Sequence, residues 1–139
     1  MKTSPYHNSD LATSDRVEDL LDRMTLDEKL AQMTIFGFPG DHPRDEVEGP
    51  VDVQLLRQAC PNNVGGIGRV GLYRDSRGAA EATRAIQQFA INETRLSIPI
   101  LIIDEALHGL MGWHATSFPQ AIGLAATWDP NLVEQIFTA

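Results

Sequence analysis

The stretch Ile98-Pro99-Ile100-Leu101-Ile102-Ile103-Asp104-Glu105 decides the fold. Its first six residues are continuously apolar, too short for a helix and typical of a strand covered on both faces. Just upstream, Asp75-Ser76 can cap a helix whose inward stripe is Ala82, Ile86, Phe89 and Ala90, the pattern running to about Leu96. Further upstream, Asn62-Asn63-Val64-Gly65-Gly66 signals a turn and leads into Ile67–Tyr73, a short buried strand interrupted by Gly68 and Gly71. Strand, helix and strand within about 37 residues form a βαβ unit. The sheet is expected to be parallel and its crossover right-handed.

Towards the N-terminus, residues 1–14 are polar and read as a frayed lead-in, giving a flexible segment 1–15 ahead of a domain over 16–139. Asp15-Arg16-Val17-Glu18 offers a capping box, and Val17, Leu20, Leu21 and Met24 mark one helical face. A second box, Thr25-Leu26-Asp27-Glu28, restarts the pattern with Leu26, Leu30 and Met33, so two abutting helices, or one with a break at Thr25, are expected. Residues 37–50, with several Gly and Pro, form a loop that either lines a site or only connects, and Val51–Ala59 adds a helical turn or two. At the C-terminal side, Asp129 caps and Pro130 opens a helix with an apolar face of Leu132, Val133, Ile136 and Phe137. No Gly, Asn or basic residue terminates that helix, which predicts that the sequence is a piece of a larger domain.

The composition suits one globular domain: 139 residues, 42% hydrophobic and 22% charged, with a formal net charge of −8. An acidic chain without Lys/Arg runs is a poor partner for nucleic acid. No apolar stretch approaches the roughly 18 residues of a membrane span, and the polar start lacks the apolar core of a secretory signal, so a cytoplasmic protein without membrane partners is expected. The single cysteine, Cys60, cannot form an internal disulfide.

Three constellations are weighed for chemistry. Gly66-Ile67-Gly68-Arg69-Val70-Gly71 spells the dinucleotide fingerprint, but its glycines fall within the expected strand rather than between strand and helix, so a close-packed strand or turn is the better reading. His108 and His114, with Asp104 and Glu105 upstream, allow a metal site to be imagined, yet the spacing belongs to no ligand motif and a turn-closing histidine is commoner. No metal or organic cofactor is implied. Asp104 and Glu105 lie at the C-terminal end of a parallel strand, where such folds place ligand contacts. Leu101, Ile103 and Glu105 share one face and Ile100, Ile102 and Asp104 the other, so the two carboxylates cannot converge on one bond. Either one of them faces a ligand, or one caps a turn while the other meets solvent.

Four stretches together resemble the N-terminal domain of glycoside hydrolase family 3, the β-glucosidase and β-xylosidase family. They are Val17-Glu18-Asp19-Leu20-Leu21-Asp22-Arg23-Met24-Thr25-Leu26-Asp27-Glu28-Lys29-Leu30-Ala31-Gln32-Met33, then Glu93-Thr94-Arg95-Leu96-Ser97-Ile98-Pro99, then Glu105-Ala106-Leu107-His108-Gly109, and the run from Ala115-Thr116-Ser117-Phe118-Pro119-Gln120 through Trp128-Asp129-Pro130. The resemblance implies an α/β fold: the N-terminal part of a (β/α)8 TIM-like barrel, with lead-in helices and about two βα units. A closed barrel takes about 250 residues, so this stretch is expected to be incomplete, and poorly stable or aggregating by itself.

By the same resemblance the activity is retaining hydrolysis at the non-reducing end of a β-linked oligosaccharide or aryl glycoside, using two carboxyl groups about 5–5.5 Å apart. The family's nucleophile is an Asp late in the barrel and its acid/base usually comes from a second domain, so no catalytic residue carries over to this chain. One substrate contact does. The carboxylate three residues before the His of the His-Gly pair grips sugar hydroxyls in relatives, and here it is Glu105. Many glucosidase-like members have Asp there, while Glu resembles the xylosidase-leaning branch and would crowd the C6 hydroxymethyl of glucose, leaving glucose and xylose both open. His108 is expected to shape the turn behind Glu105, with Gly109 allowing close backbone approach. A short sugar- or partner-binding protein without catalysis is the alternative from a different class.

Overall fold

The computed structural model describes residues 4–37, 51–72 and 74–138. Two helices lead in: α1, Thr13–Arg23, and α2, Leu26–Gln32. The break between them is where expected. Thr25 accepts from the Glu28 N–H while the Glu28 carboxylate accepts from the Thr25 N–H, a complete capping box. The box expected at Asp15 does not form: α1 begins at Thr13, and Asp15 lies in its first turn, where its charge suits the helix dipole. Hydrogen bonds tie the described part of the lead-in to α1 and to Leu96. A 3-10 turn at Pro5–His7 is tied down by the Tyr6 hydroxyl donating to the Leu96 carbonyl (2.9 Å), the Tyr6 N–H donating to Asp19 (3.1 Å), and Arg16 donating to the Tyr6 carbonyl (3.0 Å).

Three parallel strands follow in the order β1-β2-β3: β1, Ile35–Gly37; β2, Gly66–Gly68; β3, Leu101–Ile103. The described residues therefore carry one strand more than expected, because Ile35-Phe36-Gly37 is too short to show a period. Gly37, read as the first residue of a loop, instead ends β1; residues 38–50 and Tyr73 lie outside the described residues. Both other strands are shorter than predicted. β2 stops at Gly68 because Arg69 turns to a left-handed φ of 62° and the chain folds into a turn, the Leu72 N–H donating to the Arg69 carbonyl. β3 begins only at Leu101: Pro99 has no N–H, and the Gln87 side chain takes both backbone groups of Ile100, donating to its carbonyl (2.6 Å) and accepting from its N–H (3.1 Å). The expectation of cover on both faces fails at Leu101, which is 64% exposed.

Two helices close the parallel connections. Helix α3, Val53–Ala59, is capped by Asp52, and α4, Ser76–Glu93, by Asp75, whose Oδ1 accepts from the Gly78 N–H at 2.7 Å. The buried residues of α4 are Ala82, Ile86, Phe89 and Ala90, the predicted stripe, and β2-α4-β3 is the expected βαβ unit. The core lies between these helices and one face of the sheet, built from Leu56, Cys60, Val64, Ile67, Val70, Ile86, Phe89 and Ile100, with Phe36 and Ile102 packed on it. The other face is open. A Cβ at Gly66 would stand 3.0 Å from Ile103 Cδ1 and 3.5 Å from Ile35 Cγ1, so neighbouring side chains lean over a glycine floor there.

Beyond β3 come α5, Ala121–Ala125, which the sequence pattern did not reveal, and α6, Pro130–Thr138. Asp129 caps α6 as read, accepting from the Asn131 and Leu132 N–H groups at 3.1 Å. Its apolar face is unburied, Phe137 being 69% exposed.

Candidate functional site

In a parallel sheet the C-terminal strand ends collect the loops that meet ligands. Here those ends are Gly68-Arg69 after β2 and Ile103-Asp104-Glu105 after β3, laced together by the Arg69 N–H donating to the Ile103 carbonyl at 2.8 Å. The two adjacent carboxylates, just past the end of β3, meet different residues of the β2 loop. Asp104 turns to the β2 loop, where its Oδ1 accepts from the Gly71 N–H at 3.3 Å. A Cβ on Gly71 would come within 3.4 Å of the same carboxylate, so the glycine lets the two loops close. Asp104 is thus a loop clasp.

Glu105 meets the start of the same loop. Its side chain is half exposed, and Oε1 lies 3.7 Å from the guanidinium of Arg69. Its carbonyl accepts from the Met111 N–H at 3.3 Å, folding the following loop back onto the strand end. An ionised carboxylate held at its base and open at its tip is an acceptor for hydroxyl donors.

The residues behind Glu105 form a compact turn. The His108 carbonyl accepts from the Phe118 N–H at 2.6 Å, and His108 Nδ1 lies 3.4 Å from the Ser117 hydroxyl. Gly109 has φ 93°, and a Cβ there would sit 2.1 Å from the Thr116 carbonyl oxygen, so the strands of the turn approach as only glycine permits. The next loop is fastened to its neighbour too, the Trp113 N–H donating to the Arg74 carbonyl at 3.0 Å. His114 takes a left-handed conformation, φ 64°. Among the described residues, no group of three or more His, Cys, Asp and Glu could hold a metal ion, and no helix is long and apolar enough to cross a membrane.

The dinucleotide-like glycines serve packing. Gly66 and Gly68 lie within β2, and the first helix after them starts only at Ser76, so no helix N-terminus meets the motif. Arg69 is the residue that sequence reading passed over. Its signal was its place directly after the last strand glycine, where a parallel strand delivers a side chain to the ligand end.

Comparison with known proteins places this geometry. Residues 25–139 match the glycosyl hydrolase family 3 N-terminal domain. A Formosa agariphila protein with a provisional β-xylosidase name is 30% identical over 98% of the chain, and β-glucosidase C of Emericella nidulans is 33% identical over 94% of it. The chain spans about a fifth of the length of these relatives, 18% and 22% respectively. A solved structure described as a β-glucosidase from Erythrobacter marinus superposes with a TM-score of 0.67 at 29% identity, covering 99% of this chain and 18% of that one.

Proposed function

On the footing that this chain belongs to glycosyl hydrolase family 3, whose N-terminal domain it matches, we propose that it forms the opening segment of a retaining exo-β-glycosidase acting on β-glucosides or β-xylosides. The observation that carries the reading is Glu105: a half-exposed carboxylate two residues past the C-terminal end of β3. In this role Glu105 accepts hydrogen bonds from hydroxyls of the non-reducing sugar, and Asp104, turned into the loop, takes no part in the sugar contact. His108 and Gly109 hold the turn behind it. The nucleophile and the acid/base of double displacement come from outside residues 1–139.

Charge-assisted hydrogen bonds fix the ring so that the anomeric carbon meets the attacking carboxylate in line, which converts binding energy into orientation. The choice of Glu rather than Asp favours a pentose, because the longer side chain reaches into the space a C6 hydroxymethyl would need. The test is to read the frame past codon 139, express its whole product, and follow hydrolysis of p-nitrophenyl β-xyloside and β-glucoside by NMR. Release of the β-anomer first is expected; inversion overturns the retaining mechanism, and a stop directly after Ala139 overturns the hydrolytic reading. Glu105→Gln is expected to lower kcat/KM on both sugars by about 100-fold, in the range typical of lost charged contacts.

A further inference from the structure

We propose that Asp104 is a positioning residue for Glu105, an inference that rests on the substrate role of Glu105 proposed above. Hydrogen bonds close a circuit through the loops at the ligand end of the sheet. The Glu105 carbonyl accepts from the Met111 N–H at 3.3 Å, and two residues further on the Trp113 N–H donates to the Arg74 carbonyl at 3.0 Å. The Arg74 N–H in turn donates to the Gly71 carbonyl at 3.1 Å, and the Gly71 N–H donates to Asp104 Oδ1 at 3.3 Å. Asp104 is joined to Glu105 by the peptide bond, so the path returns to its start.

The first three of these bonds run from backbone to backbone, and a substitution that only trims a side chain leaves them in place. The Asp104 carboxylate makes the remaining one. Asp104 is exposed and its bond to Gly71 is long, so the link adds little to stability. Its effect is on direction. The Arg69 N–H bond to the Ile103 carbonyl, at 2.8 Å, pins the strand end, but β3 stops at Ile103 and its ladder no longer sets the backbone beyond. There the Asp104 bond on one side and the Met111 bond on the other hold the peptide between Asp104 and Glu105, which fixes the line along which the Glu105 side chain leaves the backbone. Hydrogen bonds weaken steeply off line, and a positioning group misplaced by about 1 Å can cost on the order of 100-fold in rate. The carboxylate that meets the loop thus sets the aim of the carboxylate that meets the sugar.

The test uses the whole enzyme with Asp104→Ala, Asp104→Asn, Glu105→Ala and the double change Asp104→Ala/Glu105→Ala. Hydrolysis of 2,4-dinitrophenyl β-xyloside and β-glucoside is followed, because the good leaving group keeps slow variants measurable. Asp104→Ala opens the circuit and is expected to lower kcat/KM roughly tenfold. Its thermal midpoint is expected within about 5 °C of wild type, and a larger fall makes the residue structural and overturns the inference. Asp104→Asn keeps an acceptor at Oδ1 and is expected to stay within about threefold of wild type. In the Glu105→Ala background, Asp104→Ala adds less than about twofold, since no carboxylate is left to aim. An unchanged kcat/KM in Asp104→Ala beside an impaired Glu105→Ala overturns this inference and leaves the role of Glu105 standing. The full loss in both backgrounds means that Asp104 acts without Glu105, which overturns it as well. So does an Asn variant no better than the Ala one. Unchanged kinetics in Glu105→Ala overturns the substrate role itself.

Discussion

Arg95 closes on the carboxylate of Glu28 across 67 residues of sequence, its Nε donating to Oε1 at 2.8 Å and its Nη2 to Oε2 and to the Arg23 carbonyl. The same carboxylate completes the cap of α2. One buried side chain thus fastens the lead-in helices to the segment that enters β3.

Acid should loosen that fastening. The Arg95 hydrogen bonds, then those at Thr25, hold the Glu28 pKa at about 2 against an ordinary 4.5. A carboxylate depressed on folding contributes stability that is fully present above about pH 5 and is lost as pH falls towards 2. Linkage sets an upper limit of about 3 kcal/mol, and screening at the exposed Arg95 brings the expected value to on the order of 1–2 kcal/mol. Denaturation curves at pH 7, 4 and 2.5 on the whole protein check it. The wild type should lose this increment on acidification and Glu28→Gln should not; parallel curves for the two would refute the assignment.

The exposed pair Arg57–Glu93 supplies the contrast. Its Nε–Oε2 distance is 2.6 Å, yet both side chains are more than a third exposed. Arg57→Ala should leave the thermal midpoint unresolved from wild type in 0.5 M salt, because solvent and ions screen such pairs. A clear drop at that salt concentration would mean that the pair does more than its exposure allows.

Packing predictions turn on two isoleucines. Ile86 is fully buried and Ile122 is 81% exposed. Ile86→Ala should cost about 2–5 kcal/mol, as cavities in a helix–sheet core do, while Ile122→Ala should stay within about 0.5 kcal/mol. Urea titration separates them. Equal effects would place the core elsewhere.

The parts legible in the sequence were those with a period or a cap. Ala82, Ile86, Phe89 and Ala90 announce their helix at spacings of three and four, Thr25 and Glu28 announce theirs by chemistry, and Asp129-Pro130 opens the last one. What failed lay in contacts distant along the chain. Ile35–Gly37 becomes a strand only because β2 pairs with it, and Ile98–Ile100 is kept from strand pairing by a glutamine 13 residues away from Ile100. Tyr6 is anchored by a carbonyl 90 residues on. In the site, nothing local told that Asp104 would clasp Gly71 or that Arg69 would stand beside Glu105.

Gly109 is tested by adding one methyl group. With φ 93° and the Thr116 oxygen 2.1 Å from the new Cβ, Gly109→Ala must move backbone, not a flexible tip. It should cost about 1–3 kcal/mol and displace Glu105 enough to lower activity of the whole enzyme. Gly123, within α5, meets only Pro119 at an ordinary 3.4 Å, and Gly123→Ala should be neutral or stabilising by about 0.5–1 kcal/mol. If Gly109→Ala were as benign as Gly123→Ala, the turn behind Glu105 would not be held by close backbone approach.

Residues 1–139 expressed by themselves leave apolar side chains of the described sheet exposed. Leu101 and Ile35 are each 64% exposed on the two outer strands of the described sheet, and Met33 is 85% exposed beside β1. Apolar side chains at unpaired strand edges template association with other chains. Sedimentation velocity should therefore show this segment associating as its concentration rises through the micromolar range. Leu101→Lys should reverse this at little cost to folding, because the position is already solvent-exposed and a lysine on an edge strand repels an incoming copy. If the segment stays monomeric at all concentrations, or if Leu101→Lys leaves association unchanged, that edge is not the sticking surface.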